Sequence, residues 1–401
     1  MLSLSLVDGA GRYAARASAP ERPTPAAPER LLLAPADPEG TVRDMQNPLT
    51  PEVLADPVAL TRALVDIESV SRNEKAIADC VEEVLRGVPH LATFRHGNTV
   101  MARTELGRDT RVVLAGHLDT VPLNGNFPST MRGDLMYGCG TSDMKSGVAF
   151  ALHLAVTLPD PRYDVTYFFY EAEEIESRYN GLTLVAEEHP EWLQADFAVL
   201  LEPTYGIVEA GCQGTMRAVV TTYGERAHAA RSWRGVNAIH GAGEVLRRLA
   251  GYQARRVTID GCDYREGLNA VRITGGVAGN VIPDRCEIEV NYRYAPDRDP
   301  VAAEAHLREV FAGFDLAVTD AAPGAAPGLG APAAQEFLAA VGAAPIGKLG
   351  WTDVARFAAM GIPALNFGPG DPNLAHHRDE HVEITKIRDG AATLHRWLAP
   401  A

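Results

Sequence analysis

The sequence predicts an α/β fold in which a mostly parallel sheet carries helices on both faces and a smaller α+β lid domain is inserted. Three apolar runs have the length of buried strands and alternate with helical patterns, as in parallel sheets. These runs are 112–115, 165–170 and 197–201. Beyond about Cys212 the pattern changes to alternating strands around one helix, which is typical of an inserted α+β domain.

The length of 401 residues exceeds what one ordinary core needs, so we expect two domains. An Ala-, Pro- and Gly-rich stretch near residue 321 is the expected return linker. The predicted segments are a disordered extension (1–48), the first segment of a catalytic domain (49–211), an inserted lid and dimerisation domain (212–322), and the second segment of the catalytic domain (323–401).

The composition restricts the partners. Hydrophobic residues make up 46% of the chain and the formal net charge is −15, so clustered positive charge for nucleic acid or an anionic membrane is not expected. No apolar run approaches the roughly 18 residues that a membrane helix needs. The five cysteines follow no C-x-x-C spacing, which indicates reduced thiols and a cytoplasmic protein.

The first 48 residues are rich in Ala, Pro, Arg and Glu without a sustained period, which predicts disorder. We expect this extension to be dispensable, with Met45 as the working start. From Pro57 the apolar residues recur at helical spacing, and Ser71 is the expected cap of a helix over 74–85.

Each apolar run leads into residues that bind metals. The first run is followed by His117 and Asp119, the second by Glu173 and Glu174, and the third by Glu202. Because the carboxyl ends of parallel strands meet at one edge of a sheet, we expect these side chains to face one crevice. His117 and Asp119 are two apart on an extended chain, so a hydrogen bond between them can orient the imidazole.

Asp143 is the next candidate, at the start of a helix predicted over 144–158 with Ser142 as its N-cap. Taken alone, His117 and Asp119 could be a surface turn pair, Asp143 a helix-start acid, and the Glu pair a solvated turn. Their common placement after buried strands favours a functional site.

The candidates form a carboxylate and imidazole set, completed by a histidine from the late loop around residues 374–381. Zinc accepts such ligands, as do cobalt and manganese. Five ligands are too many for one catalytic tetrahedral ion. If Asp143 bridges, each of two ions receives three protein groups and room remains for a shared water.

Hydrolysis also requires a proton shuttle that is not a ligand. Adjacent carboxylates leave a loop in different directions, so one member of a Glu-Glu pair can bind metal while the other holds water. We assign Glu173 as the general base and later as the acid that protonates the leaving amine.

These motifs resemble those of the dinuclear zinc peptidase and deacylase family that includes aminoacylases and carboxypeptidase G. As an ordered set they cover most of the chain. The matching pieces are 116–119 (GHLD), 142–147 (SDMKSG), 173–174 (EE), 202–203 (EP) and 375–376 (AH). The resemblance implies two zinc ions, one bound by His117, Asp143 and Glu202 and the other by Asp143, Glu174 and His376. It also implies that Asp119 orients His117.

The resemblance implies further roles in substrate binding. His228 matches a lid histidine that crosses to the partner's active site in family dimers and steadies the oxyanion, so a homodimer through the lid is expected. Asn280 and Arg293 match positions that hold substrate carbonyl or carboxylate groups, a task for which the arginine fork is suited. Thr352 is expected in the same pocket. Without the family, His228 reads as a surface residue and Arg293 as a strand-end residue.

Two departures from the family pattern are notable. Cys139 replaces an arginine that many relatives carry, so it is either a packed thiol near the metals or a site of oxidation. His377 directly follows His376 and is the alternative ligand, whereas His381 is expected to be solvated.

The longer phrases most resemble an actinobacterial branch of the family. They lie at 209–215 (EAGCQGT), 350–353 (GWTD) and 368–376 (GPGDPNLAH). This implies an amide hydrolase that removes succinate from N-succinyl-LL-2,6-diaminopimelate through a zinc-bridging water activated by Glu173. The alternatives are deacylation of acetylornithine or another N-acyl amino acid, dipeptide hydrolysis, and a non-catalytic metal- or peptide-binding module on the same fold.

Overall fold

The computed structural model describes residues 47–400. The predicted extension, apart from its last two residues, and the proposed start at Met45 lie outside the described residues. Asn47 already contacts the folded chain, because its side-chain amide donates a hydrogen bond to the carbonyl of Cys80 at 2.9 Å.

Strands and helices alternate through most of the last third of this range, whereas five strands follow one another between residues 92 and 137. The strands are β1 (Ala92–His96), β2 (Thr99–Arg103), β3 (Arg111–His117), β4 (Thr130–Arg132), β5 (Leu135–Tyr137), β6 (Asp164–Tyr170), β7 (Phe197–Leu200), β8 (Glu209–Ala210), β9 (Gly214–Tyr223), β10 (Arg256–Ile259), β11 (Cys262–Arg265), β12 (Gly267–Gly275), β13 (Arg285–Tyr294), β14 (Asp315–Ala322), β15 (Ile346–Gly347), β16 (Ala364–Asn366) and β17 (His381–Glu383). The α-helices are α1 (Pro51–Ala55), α2 (Pro57–Val65), α3 (Lys75–Arg86), α4 (Lys145–Thr157), α5 (Gly181–Glu188), α6 (Ala238–Ala250), α7 (Pro300–Val310), α8 (Pro332–Val341), α9 (Val354–Ala359) and α10 (Ile384–Leu398).

The larger sheet has the order β1-β2-β6-β3-β7-β16-β8-β15. Its centre is parallel: β3 pairs in parallel with β6 and β7, and β16 continues in parallel beside β7. The antiparallel pairs lie towards the two edges, where β1 meets β2, β2 meets β6 and β16 meets β8.

Alternation along β3 explains why helices cover both faces of this sheet. Val112 and Leu114 belong to one buried cluster, together with residues of α2, α3, α4 and α10. Val113 and Ala115 belong to a second cluster, together with residues of α5 and α9. Successive side chains of a strand point to opposite faces, so a wholly apolar strand needs cover on both sides. The predicted fold class is confirmed.

A second sheet is built within the lid region, by which we mean residues 212–322. Its order is β12-β13-β9-β14 and every pairing is antiparallel. Helices α6 and α7 contribute Val245 and Leu307 to its own buried cluster, which packs on Val220 and Ile288. The hairpin of β10 and β11 falls in the same stretch of sequence, yet Tyr264 packs in the larger core. The division at 212 and 322 therefore stays a prediction.

Several local expectations need correction. Ser71 does not cap α3. The cap position is Glu74, whose side chain accepts from the N–H of Arg72 at 2.7 Å and makes no capping bond to the helix, and the Ser71 hydroxyl donates to Asp119 Oδ2 at 2.7 Å. The sequence pattern also left out β14, α7 and the long helix α10. Their exposed faces interrupt the apolar period, which weakens the signal that a sequence pattern can offer.

Candidate active site

The three central strands deliver their end residues to one edge of the larger sheet. His117 is the last residue of β3 and pairs in register with Tyr170, the last residue of β6. Glu173 and Glu174 follow β6, and Glu202 follows β7, which is parallel to β3. The site expected from three strand ends is therefore assembled at the carboxyl edge of the sheet, where open α/β sheets bind ligands.

Asp143 lies between two imidazoles. Its Oδ1 is 3.2 Å from His117 Nε2, and its Oδ2 is 3.6 Å from His376 Nε2. His376 Nε2 also lies 2.9 Å from Glu174 Oε1. His117, Asp143 and Glu174 each offer a ligand atom within 4.8 Å of the others, which is a spacing that a metal ion can span.

Glu202 joins this group electrostatically. Its side chain is 5% exposed, and burial together with the nearby Asp143 carboxylate raises its pKa to about 8. The hydrogen bond to Glu174 raises the pKa of His376 to about 9. The negative charge gathered at this place contributes to both raised pKa values, and divalent ions would compensate it.

The donor set of this carboxylate and imidazole group fits a pair of divalent ions. Two imidazoles and three carboxylates converge without a thiolate, which suits zinc and also cobalt or manganese.

Asp119 connects His117 to the turn that carries Glu173 and Glu174. Its carboxylate accepts hydrogen bonds from the backbone N–H groups of Glu173 at 3.0 Å and Glu174 at 3.1 Å, and from the Ser71 hydroxyl. The nearest polar atom to His117 Nδ1 is the Asp119 main-chain carbonyl at 3.0 Å, and the Asp119 carboxylate lies at 3.5 Å. The expected link between imidazole and Asp119 thus runs mainly through the backbone, while the carboxylate positions the Glu173–Glu174 turn.

Glu173 is partly exposed at the crevice and makes no contact with the two imidazoles among the hydrogen bonds and ion pairs of residues 47–400. Burial of its carboxyl group, with additional repulsion from Asp353 and Glu202, raises its pKa well above the ordinary value against the opposing attraction of His117. A carboxyl group with a raised pKa, next to a metal-binding group but outside it, is suited to accept and return a proton.

Glu380 is a site residue that the sequence analysis missed. Its side chain is 2% exposed, and it accepts hydrogen bonds from the N–H groups of Ser142 at 2.8 Å, Asp143 at 3.0 Å and Gly140 at 3.2 Å. Burial raises the pKa of Glu380 to about 7 despite these bonds. Glu380 therefore anchors the loop that presents Asp143.

Ser142 does not cap the helix that follows, contrary to expectation. Helix α4 begins at Lys145 with Met144 at its cap position, and the Ser142 hydroxyl donates to the carbonyl of His381 at 2.9 Å. The capping rule is local, whereas this serine is held by a segment from the far end of the chain.

The late loop brings His376, rather than His377, to the other candidate ligands. His377 is exposed, and its carbonyl accepts a long hydrogen bond of 3.5 Å from Asn126. His381 is half-buried and tilts against Tyr137 at a ring-centroid distance of 4.7 Å. Cys139 is a buried free thiol whose Sγ lies 3.7 Å from the carbonyl of Val121.

The candidate substrate residues are not gathered around the metal group in the same way. His228 is exposed, its Nδ1 accepts from the N–H of Ala230, and its backbone bridges to Val281 next to the exposed Asn280. Within residues 47–400, Arg293 is half-buried on β13 and has no side-chain hydrogen bond or ion pair. Thr352 is buried, and its hydroxyl donates to Asn366 Oδ1 at 2.9 Å.

Comparison with known proteins places this arrangement in context. Residues 113–399 match the family described as peptidase family M20/M25/M40. A Mycobacterium tuberculosis protein provisionally named succinyl-diaminopimelate desuccinylase is 56% identical over 350 residues, which is 86% of this chain and 99% of that protein. The succinyl-diaminopimelate desuccinylase of Corynebacterium glutamicum is 50% identical over 368 residues, covering 88% of this chain and all of its own length (100%).

The fold is also similar to that of a solved protein from Bacillus subtilis, described as a dinuclear metal-binding peptidase of the M20 family. The TM-score is 0.62 at 17% sequence identity, and the match covers 85% of this chain and 96% of the other. In the part of the chain that the structure describes, no helix has the length and apolar character to cross a membrane.

Proposed function

The chain belongs to peptidase family M20/M25/M40, and from this premise we propose that it hydrolyses N-succinyl-LL-2,6-diaminopimelate to succinate and LL-diaminopimelate. It is a metal-dependent hydrolase that acts on an amide bond. The substrate assignment follows the two relatives named as desuccinylases, whose lengths are matched almost completely. The observation that carries the proposal is the gathering of His117, Asp143, Glu174, Glu202 and His376 at one sheet edge with Glu173 beside them.

We assign the metal ligands as the sequence predicts them. His117, Asp143 and Glu202 would hold one zinc ion, and Asp143, Glu174 and His376 the other, with cobalt or manganese as substitutes. The two carboxylate oxygens of Asp143 support a bridging role because each faces a different imidazole. When bound, such ions polarise the amide carbonyl and lower the pKa of a water molecule between them.

Glu173 is assigned as the proton shuttle. Its carboxylate takes the proton from the attacking water and then donates it to the departing amine nitrogen of diaminopimelate. Asp119 supports this role by holding the Glu173 backbone N–H at 3.0 Å, so the carboxyl group starts from a fixed backbone position. A positioned carboxyl group of this kind contributes about 10²–10⁴-fold in rate.

Arg293 and Asn280 are assigned to the substrate's polar groups, and Thr352 to the wall of the same pocket. Arg293 is half-buried and has no hydrogen bond or ion pair with another side chain of the described residues, so its guanidinium is suited to bind a carboxylate. Both the succinyl group and diaminopimelate carry carboxylates. The hydroxyl of Thr352 already bonds Asn366, so we expect Thr352 to shape the pocket more than to donate a hydrogen bond.

A homodimer through the lid region completes the proposal, with His228 reaching the partner's site. Strand β12 is an outer strand of the lid sheet, and two of its apolar side chains are exposed: Val271 (60%) and Ile273 (50%). An exposed edge strand with apolar residues favours pairing with another chain.

The five free cysteines support a reducing compartment, and we assign the protein to the cytoplasm.

The decisive experiment measures hydrolysis of N-succinyl-LL-diaminopimelate by the zinc-loaded protein, with N-acetylornithine in parallel and a chelated sample as control. Chelator-sensitive turnover of the succinyl substrate in preference to acetylornithine supports the proposal. Preference for acetylornithine would reassign the substrate while keeping the chemistry. Inertness towards both substrates would overturn the proposed activity.

A further inference from the structure

A second group of metal-binding side chains lies outside the active site. His96 ends the outer strand β1, Glu188 ends helix α5, and His189 is the residue that follows α5. One ligand atom from each lies within 4.8 Å of the others, and His96 Nε2 is 3.8 Å from Glu188 Oε2. We propose that His96, Glu188 and His189 form a further site for a divalent transition-metal ion, with zinc as the expected occupant.

The donor chemistry fits this ion. Two imidazoles and one carboxylate are a zinc donor set, and a water molecule can complete a tetrahedron. Ligands about 2.1 Å from a zinc ion are roughly 3.4 Å apart, so the group needs only a modest closure. Glu188 is 57% exposed and can rotate to provide it.

The surrounding charge favours a cation at this place. The carbonyl groups at a helix C-terminus carry partial negative charge, which a positive charge normally offsets. The last turn of α5 has no basic residue, and it carries Glu187 and Glu188 instead. Glu191 adds a third carboxylate, with its Oε1 3.7 Å from His189 Nδ1. These groups give the C-terminus of α5 an excess of carboxylates. The nearby Arg103 guanidinium pairs with Glu105 and donates to the main-chain carbonyl of Glu191 at 3.4 Å, not to these carboxylates.

Neighbouring groups also orient the histidines. The carboxylate of Glu191 faces one ring nitrogen of His189, which is the arrangement that directs the other nitrogen to a metal. The ring of Phe94 meets the His189 ring edge-on at 4.8 Å and stacks on Trp192 at 5.4 Å. The His189 imidazole therefore packs against an aromatic layer instead of extending freely into solvent.

This site is separate from the catalytic group and does not rest on the proposed function. Strands β2 and β6 lie between β1 and β3, which separates the strands by about 14 Å at roughly 4.8 Å per strand. An ion held here joins the outer strand β1 to the end of α5. The opposite end of α5 is capped by Asn180, whose side chain also binds Asp353.

Zinc uptake tests the site directly. The full-length protein, His96→Ala, Glu188→Gln and the control His240→Ala are dialysed against graded free zinc, and bound metal is counted by elemental analysis. His240 is an exposed histidine of α6 that belongs to neither metal-binding group within residues 47–400. At saturation, His96→Ala and Glu188→Gln should each bind one zinc ion fewer per chain than the wild type and His240→Ala.

A second readout is thermal unfolding at low and at saturating zinc. A metal that binds only the folded state raises Tm. The part of the zinc-dependent rise in Tm that comes from the proposed site should therefore be present in the wild type and absent from both site variants. Equal zinc uptake and an equal rise in Tm for all four proteins would overturn the proposal. Turnover measured at low free zinc should be unchanged in His96→Ala, and its loss there would also contradict a separate site.

Discussion

The edge of the larger sheet and the lid region differ in how completely a single chain assembles their candidate functional residues. At the sheet edge, Asp119 and Glu380 tie down the backbone that carries the candidate ligands, and the ligand side chains contact each other. In the lid region, His228 and Asn280 are exposed, and their described contacts are with other lid residues. Within residues 47–400, the candidate metal ligands contact each other, whereas the side chains of His228 and Asn280 have no hydrogen bond or ion pair to them. We therefore expect a second chain or a closure to complete the substrate site.

The largest effect should come from Glu173→Gln, which tests whether the sheet edge contains the proton shuttle. Gln keeps the size of the side chain and cannot take up the proton, so we expect turnover to fall by about 10³-fold or more. Zinc content should stay near that of the wild type because Glu173 is not assigned as a ligand. The measurement combines steady-state kinetics with elemental analysis.

Glu176→Gln is the matched control for that variant. Glu176 is exposed on the same loop, and its only ion pair with a described residue is a long one of 3.7 Å to Arg178. It should keep full activity. Retained turnover in Glu173→Gln would remove Glu173 from the role of base.

His228→Ala tests the lid side of the comparison. If His228 donates a hydrogen bond to the oxyanion, kcat should fall by about 10²–10³-fold. Folding should be unaffected because the side chain is exposed and, within residues 47–400, its one hydrogen bond is accepted from the N–H of Ala230, two residues away. His240→Ala is the control, an exposed lid histidine with no assigned role.

Mixed dimers then decide which chain supplies His228. Glu173→Gln and His228→Ala are unfolded together and refolded. In a dimer containing one chain of each, one site would have Glu173 from one chain and His228 from the partner. Random pairing should restore about a quarter of wild-type activity, because about half the dimers are mixed and each has one intact site. No restoration would mean that His228 acts within its own chain.

Glu380→Gln tests how strongly the protein holds the metal ligands at the sheet edge in place before metal binds. The amide can accept from two of the three N–H groups at most, so the loop that carries Asp143 loses one anchor. Groups that orient ligands typically change metal affinity by about 10–100-fold, and we expect a loss in that range by competition with a chelator. Asp379→Asn, on the exposed neighbour, should bind metal normally.

The residues at the strand ends could be predicted from the sequence because the pattern of a buried strand lies within a few consecutive residues. Continuous apolar runs of strand length identify the buried strands, and parallel pairing then places His117, Glu174 and Glu202 at one edge. Glu380 could not be found in this way, since its partners are backbone N–H groups far away in the chain. No sequence pattern around the exposed lid residues indicates a function, and only the family resemblance points to them.

Ser71 shows how a local rule can fail, and it supports the smallest predicted effect. The serine precedes a helix and fits a cap, but its hydroxyl donates to the Asp119 carboxylate, which also holds the Glu173–Glu174 turn. Ser71→Ala removes one charge-assisted hydrogen bond, which typically costs about 1.5–3 kcal/mol. Asp119 keeps both backbone N–H donors, so the turn should shift only slightly and kcat should fall by no more than about tenfold. The free energy of unfolding should decrease, measured by urea denaturation beside Ser232→Ala, an exposed lid serine without a side-chain hydrogen bond among residues 47–400. A loss of activity as large as that of Glu173→Gln would mean that Asp119 cannot hold the turn without Ser71, and that the sheet edge is less prepared than its contacts indicate.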